Sequence, residues 1–308
     1  MVRKSDHIKW FRDSSPYIDA HRGSTIVICL TGNALAAGNL DNIISDIALL
    51  NSLGIRIVLV YGNADANGTE RVILTTEQVS ALSASLGAVA AELSAKLSYS
   101  RPDLPGKNRD VRTVSGNFIK ARPLGIIGGV DHLQTGEVRA INHEAMTYQL
   151  DGRAIVLLPA MGYSPSGETF CLQSHAVARE AACALNADKL IYLTSQAGLH
   201  DNAGNLISEI DLSLYDPAGI ASHPDTAGLL EDCGYACRNG VTRCHILSFE
   251  SDGAMLEELF TRDGCGTQVV GHSYEQIRTA TMDDVPGILK LIAPLEQSGA
   301  LEIGRAHV

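Results

Sequence analysis

The chain has 308 residues, 45% of them hydrophobic and 19% charged, with a mean hydropathy of +0.06. That composition suits one large globular domain, or one domain with a fragment of another, and a net charge of −11 with a pI near 5.3 argues against a nucleic-acid partner. No apolar run approaches the ~20 residues that span a bilayer, and the basic start MVRKSDH leads into IKWFR instead of a secretory core, so a cytoplasmic protein is expected.

Residues 3–15 read as a short polar helix whose apolar content is Ile8, Trp10 and Phe11. Standing ahead of the first strand, it cannot easily bury itself on its own sheet. It either packs as an appendage or docks on a neighbouring subunit. A strand at 25–30 (TIVICL) follows, then a helix at 40–53, a strand at 56–61 (RIVLVY) and a helix at 76–98, opened by Thr76, Gln78 and Val79. Residues 117–141 differ. There FIKA and EVRAI flank a glycine-rich connection, the pattern of a hairpin inserted into the frame. Next come a strand at 154–158 (AIVLL), a helix at 175–186 and a strand at 190–194 (LIYLT). The last elements are a helix at 228–239 stopped by Gly240, a strand at 245–249 (HILSF), a helix at 253–260 and a strand at 268–270. β-Branched runs alternating with amphipathic stretches predict an α/β fold with parallel strands and crossover helices.

The cysteines, at 29, 171, 183, 233, 237, 244 and 265, are odd in number and none sits in a CxxC pair. Reduced thiols are therefore expected. Cys233, Cys237, Cys244 and His245 read as small buried groups on a helix and the strand after it, not as a metal site.

Three stretches carry a family resemblance. Ile28-Cys29-Leu30-Thr31-Gly32-Asn33-Ala34-Leu35 resembles the first phosphate loop of the amino acid kinase family. Residues 190–194 with Ala197-Gly198-Leu199-His200-Asp201 look like that family's nucleotide-side strand and turn. His245 to Thr267, HILSFESDGAMLEELFTRDGCGT, is similar to the C-terminal pattern of arginine-regulated N-acetylglutamate kinases and bacterial N-acetylglutamate synthases. The synthase likeness extends through Pro16-Tyr17-Ile18, His21-Arg22-Gly23, Val114-Ser115-Gly116-Asn117-Phe118 and Ile277-Arg278-Thr279-Ala280-Thr281, over about residues 8–301. It implies an amino-acid-kinase-like three-layer sandwich with a mainly parallel central sheet and an N-terminal helix. The implied division is an N-terminal helical segment at 1–20, the kinase-like domain at 21–271, and the start of an acetyltransferase domain at 272–308.

The resemblance implies a phosphoryl-transfer site that has lost its charges. Phosphoryl transfer needs cations placed against phosphate oxygens. Where active relatives carry a lysine at the end of the first strand, this chain has Cys29. His175 stands at the position of an aspartate, and a second lysine falls near Leu229. Gly32 remains in the first loop, whereas the second loop reads Tyr61-Gly62-Asn63-Ala64-Asp65 in place of a glycine run, and the segment at 63–75 is short for the family. These departures make kinase activity an unexpected outcome.

The same resemblance implies an L-arginine site. Arginine asks for a carboxylate to face its guanidinium, a cation for its own carboxylate, and acceptors for its amine. Glu258 ahead of Leu259-Phe260-Thr261 matches the carboxylate. His245, Lys189, Gly264 and Tyr17 match the accompanying histidine, lysine, glycine and N-terminal aromatic. Taken one at a time, Glu258 beside Glu257 also suits a solvated helix face, His245 a core residue, Lys189 an exposed lysine and Tyr17 packing.

Acetyl transfer from acetyl-CoA to glutamate belongs, by resemblance, to a C-terminal domain of which only the opening is recognisable here. No glycine-rich turn suited to a CoA pyrophosphate lies between His272 and Val308. The expectation is an arginine-sensing domain that binds no cofactor, takes no metal and forms a homo-oligomer through its N-terminal helix. In that reading acetyl-CoA is a substrate of the full-length family member only. The alternative is a divergent acylamino-acid kinase using ATP and magnesium; a remnant that binds no ligand is a third reading.

Overall fold

The computed structural model describes residues 4–62, 73–98, 111–214 and 228–271, with 220, 223 and 226. The chain divides into two compact units, Met1–His272 and Ser273–Val308. The expected acetyltransferase opening at 272–308 lies outside the described residues, as do positions 63–72 of the short segment after the second strand.

Helix α1 (Lys4–His21) leads into β1 (Thr25–Leu30), α2 (Gly32–Ala36), α3 (Leu40–Ser52), β2 (Arg56–Tyr61) and α4 (Thr76–Ser98). A β-rich stretch follows: β3 (Thr113–Ser115), β4 (Ile119–Pro123), β5 (Ile126–Ile127), β6 (Val130–Asp131) and β7 (Gly136–Ile141). Then come α5 (His143–Asp151), β8 (Ile155–Pro159), β9 (Met161–Tyr163), β10 (Thr169–Cys171) and α6 (Ser174–Ala184). The remaining elements are β11 (Lys189–Thr194), β12 (Glu209–Asp211), α7 (Leu229–Arg238), β13 (Arg243–Ser248), α8 (Ala254–Phe260) and β14 (Thr267–Val270).

Eight strands form the central sheet in the order β12-β14-β13-β11-β1-β2-β8-β3. Every neighbouring pair is parallel except β13 and β14. Helices cover both faces, so the central strands are apolar on both sides and read as continuous runs without alternation. On β1, Ile26, Ile28 and Leu30 enter one core with residues of α3, α4 and α8, while Val27 and Cys29 enter the other with residues of α5, α6 and α7. The same alternation puts Ile191 and Leu193 of β11 on the first face and Leu190 and Tyr192 on the second. The expected hairpin is present as the antiparallel pair β4 and β7, within a second sheet ordered β10-β9-β4-β7, and the glycine-rich tip forms the separate pair β5 and β6. No helix among the described residues is long and apolar enough to cross a membrane.

Two expectations need correcting. The N-terminal helix does not stop near residue 15; it runs to His21 with Pro16 inside it. Proline removes one backbone donor and crowds the preceding turn, but Tyr17 and Ile18 pack on the first core and hold the last turn in place. Tyr17 is thus a residue of the helix, not one that follows it. The stretch between the hairpin and β8 also holds an unforeseen helix, α5. Asn142 caps it, accepting the Ala145 N–H at 3.2 Å, and only Met146 and Leu150 are buried on it.

Candidate functional site

Sheet alternation sorts the singled-out residues onto opposite faces. Cys244 and Ile246 of β13 lie in the α6 and α7 core, and Leu247 lies in the α3 and α8 core. His245 therefore points toward α8, and by the same count on β11 so does Lys189. Cys29 and Leu229 belong to the other side.

On the α8 face, Lys189, His245 and Glu258 form one buried chain. Lys189 Nζ lies 3.3 Å from His245 Nε2, and His245 Nδ1 lies 2.7 Å from Glu258 Oε1. The His245 and Glu258 side chains are 2% and 6% exposed. The second carboxylate oxygen, Oε2, accepts the N–H groups of Cys265 at 2.8 Å and Gly266 at 3.1 Å. A carboxylate with this many donors stays ionised in the interior. Burial opposes its charge, yet the bond from His245 and the two backbone donors hold Glu258 below its ordinary range.

Burial also lowers the pKa of His245, with Lys189 and Arg243 acting the same way against the pull of Glu258. The imidazole is therefore neutral. Its Nδ1–H donates to Glu258, and its bare Nε2 accepts from the Lys189 ammonium. Lys189 is brought down to about 8 by burial first and then by Arg243, against the pull of Glu258 and Asp188. A cation and an anion thus sit at the two ends of one neutral ring.

Of the remaining singled-out residues, Gly264 adjoins Glu258 directly, and Tyr17 is placed on the core of the same face. Gly264 has φ +64, and a Cβ there would run into the Glu258 carboxylate, so the backbone comes as close as only glycine permits. Its N–H is held by Thr261 Oγ1 at 3.2 Å, and the Thr261 hydroxyl donates to the Glu257 carbonyl at 2.7 Å. Tyr17 packs on the core that contains Leu259 and Phe260, the residues after Glu258. His21, quoted above only as part of a motif, reaches α8: its Nε2 lies 2.9 Å from the Leu259 carbonyl.

The opposite face holds a cleft of about 410 Å³ between α6, α7 and β7. His175 lines it, buried against Tyr192 in an edge-on contact at 5.3 Å. Leu229 is fully buried as the first residue of α7. Cys29 is fully buried, and burial pushes its thiol up to about 12 despite a hydrogen bond with Ser174. Gly32 opens the five-residue α2, where the Thr31 side chain accepts the Ala34 N–H at 3.4 Å. The cation among the described lining residues is Arg179, against Glu137, Glu231 and Asp232. Arg179 is already engaged: it bonds Glu180 and Asp232 and stacks over Tyr235 at 4.6 Å.

The Cys237 and Cys244 sulfurs lie 3.8 Å apart. Among the described residues no group of three His, Cys, Asp or Glu side chains is arranged to hold a metal ion.

The profile of the Amino acid kinase family matches residues 24–248, so the central sheet and its helices define an amino-acid-kinase-type domain. An amino-acid acetyltransferase of Azotobacter vinelandii is 42% identical over 315 aligned residues, covering 96% of this chain and 72% of that protein. Among solved structures, N-acetylglutamate synthase from Neisseria gonorrhoeae complexed with coenzyme A and L-arginine aligns with a TM-score of 0.83 at 32% identity. That alignment spans 98% of this chain and 73% of the other. The same enzyme complexed with coenzyme A and N-acetyl-glutamate gives a TM-score of 0.76 at 33% identity, over 97% and 72% of the two chains. The chain belongs to the amino-acid acetyltransferase family, the N-acetylglutamate synthases, and carries the kinase-like domain of that family.

Proposed function

We propose that residues 4–271 are the L-arginine-sensing domain of an N-acetylglutamate synthase, the family that acetylates glutamate from acetyl-CoA at the start of arginine biosynthesis, and that they transfer no phosphate. The observation carrying this is the buried Lys189–His245–Glu258 chain on one face of the sheet, while on the opposite face the positions that the resemblance assigns to phosphate are Cys29 and Leu229, both fully buried in the core, and His175 at the cleft. Arginine brings a planar cation and a carboxylate. Glu258 is the partner for the first and Lys189 for the second. Glu258 is already satisfied by His245 and by the N–H groups of Cys265 and Gly266. A guanidinium must therefore take over acceptor positions now held by the turn after α8, which leaves Gly264 as the point where a ligand meets backbone.

The α6 and α7 face supports the other half of the reading. A protonated thiol offers no charge to a phosphate, and Arg179 is neutralised by its own carboxylate partners. Acetyl transfer is assigned to no residue of the described region, and pairing between copies is assigned to α1. Calorimetric titration tests the arginine site. Glu258→Gln should weaken binding by ~1.5–3 kcal/mol, the worth of a hydrogen bond to a charged group. Unchanged affinity in that variant would overturn the assignment.

A further inference from the structure

Helix α8 has seven residues, too few to hold itself together. Its position depends on what secures its ends. Gly253, at φ +72, opens it, and the Glu257 carbonyl near its end is taken by the Thr261 N–H and hydroxyl. The Leu259 carbonyl belongs to the set that a helix leaves without an internal partner. Its donor comes from 238 positions away: His21 Nε2, at 2.9 Å. The His21 ring also packs against Phe260, with centroids 6.0 Å apart and a tilt of 56°.

His21 is equally fixed on its own helix. It is the last residue of α1, and its carbonyl accepts the Ser24 hydroxyl at 2.6 Å and the Ser24 N–H at 3.0 Å. One residue thus joins the C-terminal ends of two helices. One helix carries Tyr17 and the other carries Glu258, directly ahead of the bonded Leu259. Burial first, and then the nearby Lys189, lower the His21 pKa. Nε2 keeps its hydrogen because it faces a carbonyl, so the ring is the neutral Nε2–H tautomer.

We propose that His21 is a positioning residue of the arginine site, fixing the last turn of α8, and with it Glu258, relative to α1 through the bond to the Leu259 carbonyl. The proposal rests on the arginine reading above, so its test has one arm with arginine and one without. The full chain is compared with His21→Ala, which removes the donor, and His21→Gln, whose amide nitrogen reaches nearly the same place. Without ligand, hydrogen exchange at residues 254–261 should quicken several-fold in His21→Ala and return close to the parent rate in His21→Gln. With L-arginine, His21→Ala should bind about tenfold more weakly, the equivalent of one lost hydrogen bond, and His21→Gln within about twofold of the parent. Exchange in α8 that does not respond to His21→Ala, or a glutamine variant as impaired as the alanine one, overturns the positioning role. A parent chain that fails to bind arginine while α8 exchange still follows His21 overturns the arginine reading alone. Should His21→Ala not fold, the glutamine variant decides: impaired arginine binding in it contradicts the proposal.

Discussion

Lys189 and Glu258 are a cation and an anion buried on either side of one imidazole, and each is there at a cost. A buried ion is tolerated only when paired and hydrogen-bonded. Glu258 meets that demand with a histidine and two backbone donors, whereas Lys189 meets it less fully, and its pKa falls to about 8. This has a consequence for stability. The folded chain releases the Lys189 proton near pH 8, while the unfolded chain keeps it to about 10.5, the ordinary value. Between those limits the unfolded state binds more protons, so the Lys189 contribution to stability rises with pH. The difference in unfolding free energy between the chain and Lys189→Met should therefore shift in favour of the parent from pH 8 to 10.5, by at most about 1.4 kcal/mol per unit. Urea unfolding of both proteins across that range measures it. Parallel pH curves would show that Lys189 titrates normally.

At the scale of elements, the turn from Thr261 to Gly266 is the part most exactingly shaped by Glu258. Gly264→Ala would put a methyl group against the carboxylate at a backbone angle that favours glycine. The expected cost is about 1–3 kcal/mol of stability, together with weaker arginine binding, read by thermal unfolding and calorimetry. A variant as stable as the parent would show that the turn relaxes freely. Much of this layout was legible in the sequence. The runs TIVICL and RIVLVY gave β1 and β2 at their observed bounds, because strands buried on both faces leave an unbroken apolar signal. The helix at 76–98 was equally plain, with the Thr75 and Gln78 exchange at its start holding its first turn. The short strands β3, β9, β10 and β12 span three residues each, too few for any periodicity to register. Helix α5 escaped because its buried stripe is only Met146 and Leu150, too short for a helical period to register, with Tyr148 exposed on the opposite side. The end of α1 was misplaced because Pro16 weighs against a helix locally, while the bond from His21 to Leu259 is made with a residue 238 positions away. For the site, the pattern around Glu258 named the carboxylate, but nothing in it announces that Cys265 and Gly266 supply backbone donors, or that His21 closes α8.

Across the whole molecule, the central sheet separates two kinds of chemistry that one family outline suggests together. The α6 and α7 face keeps a cleft of about 410 Å³, but its Arg179 is neutralised by Asp232 in the lining and by Glu180 beside it. The α1 and α8 face keeps the buried Lys189–His245–Glu258 chain, the site proposed above for arginine. A ligand bound there regulates only if it binds one arrangement of the protein better than another. Helix α1, tied to α8 by His21, is the element through which such a difference would pass. Thermal unfolding of the 308-residue chain with each ligand separately compares the two faces most directly. L-Arginine at a hundred times its Kd should stabilise the chain by ~2.7 kcal/mol and raise the melting temperature clearly, while magnesium-ATP should leave it unmoved. Stabilisation by magnesium-ATP with no response to arginine would contradict both assignments at once.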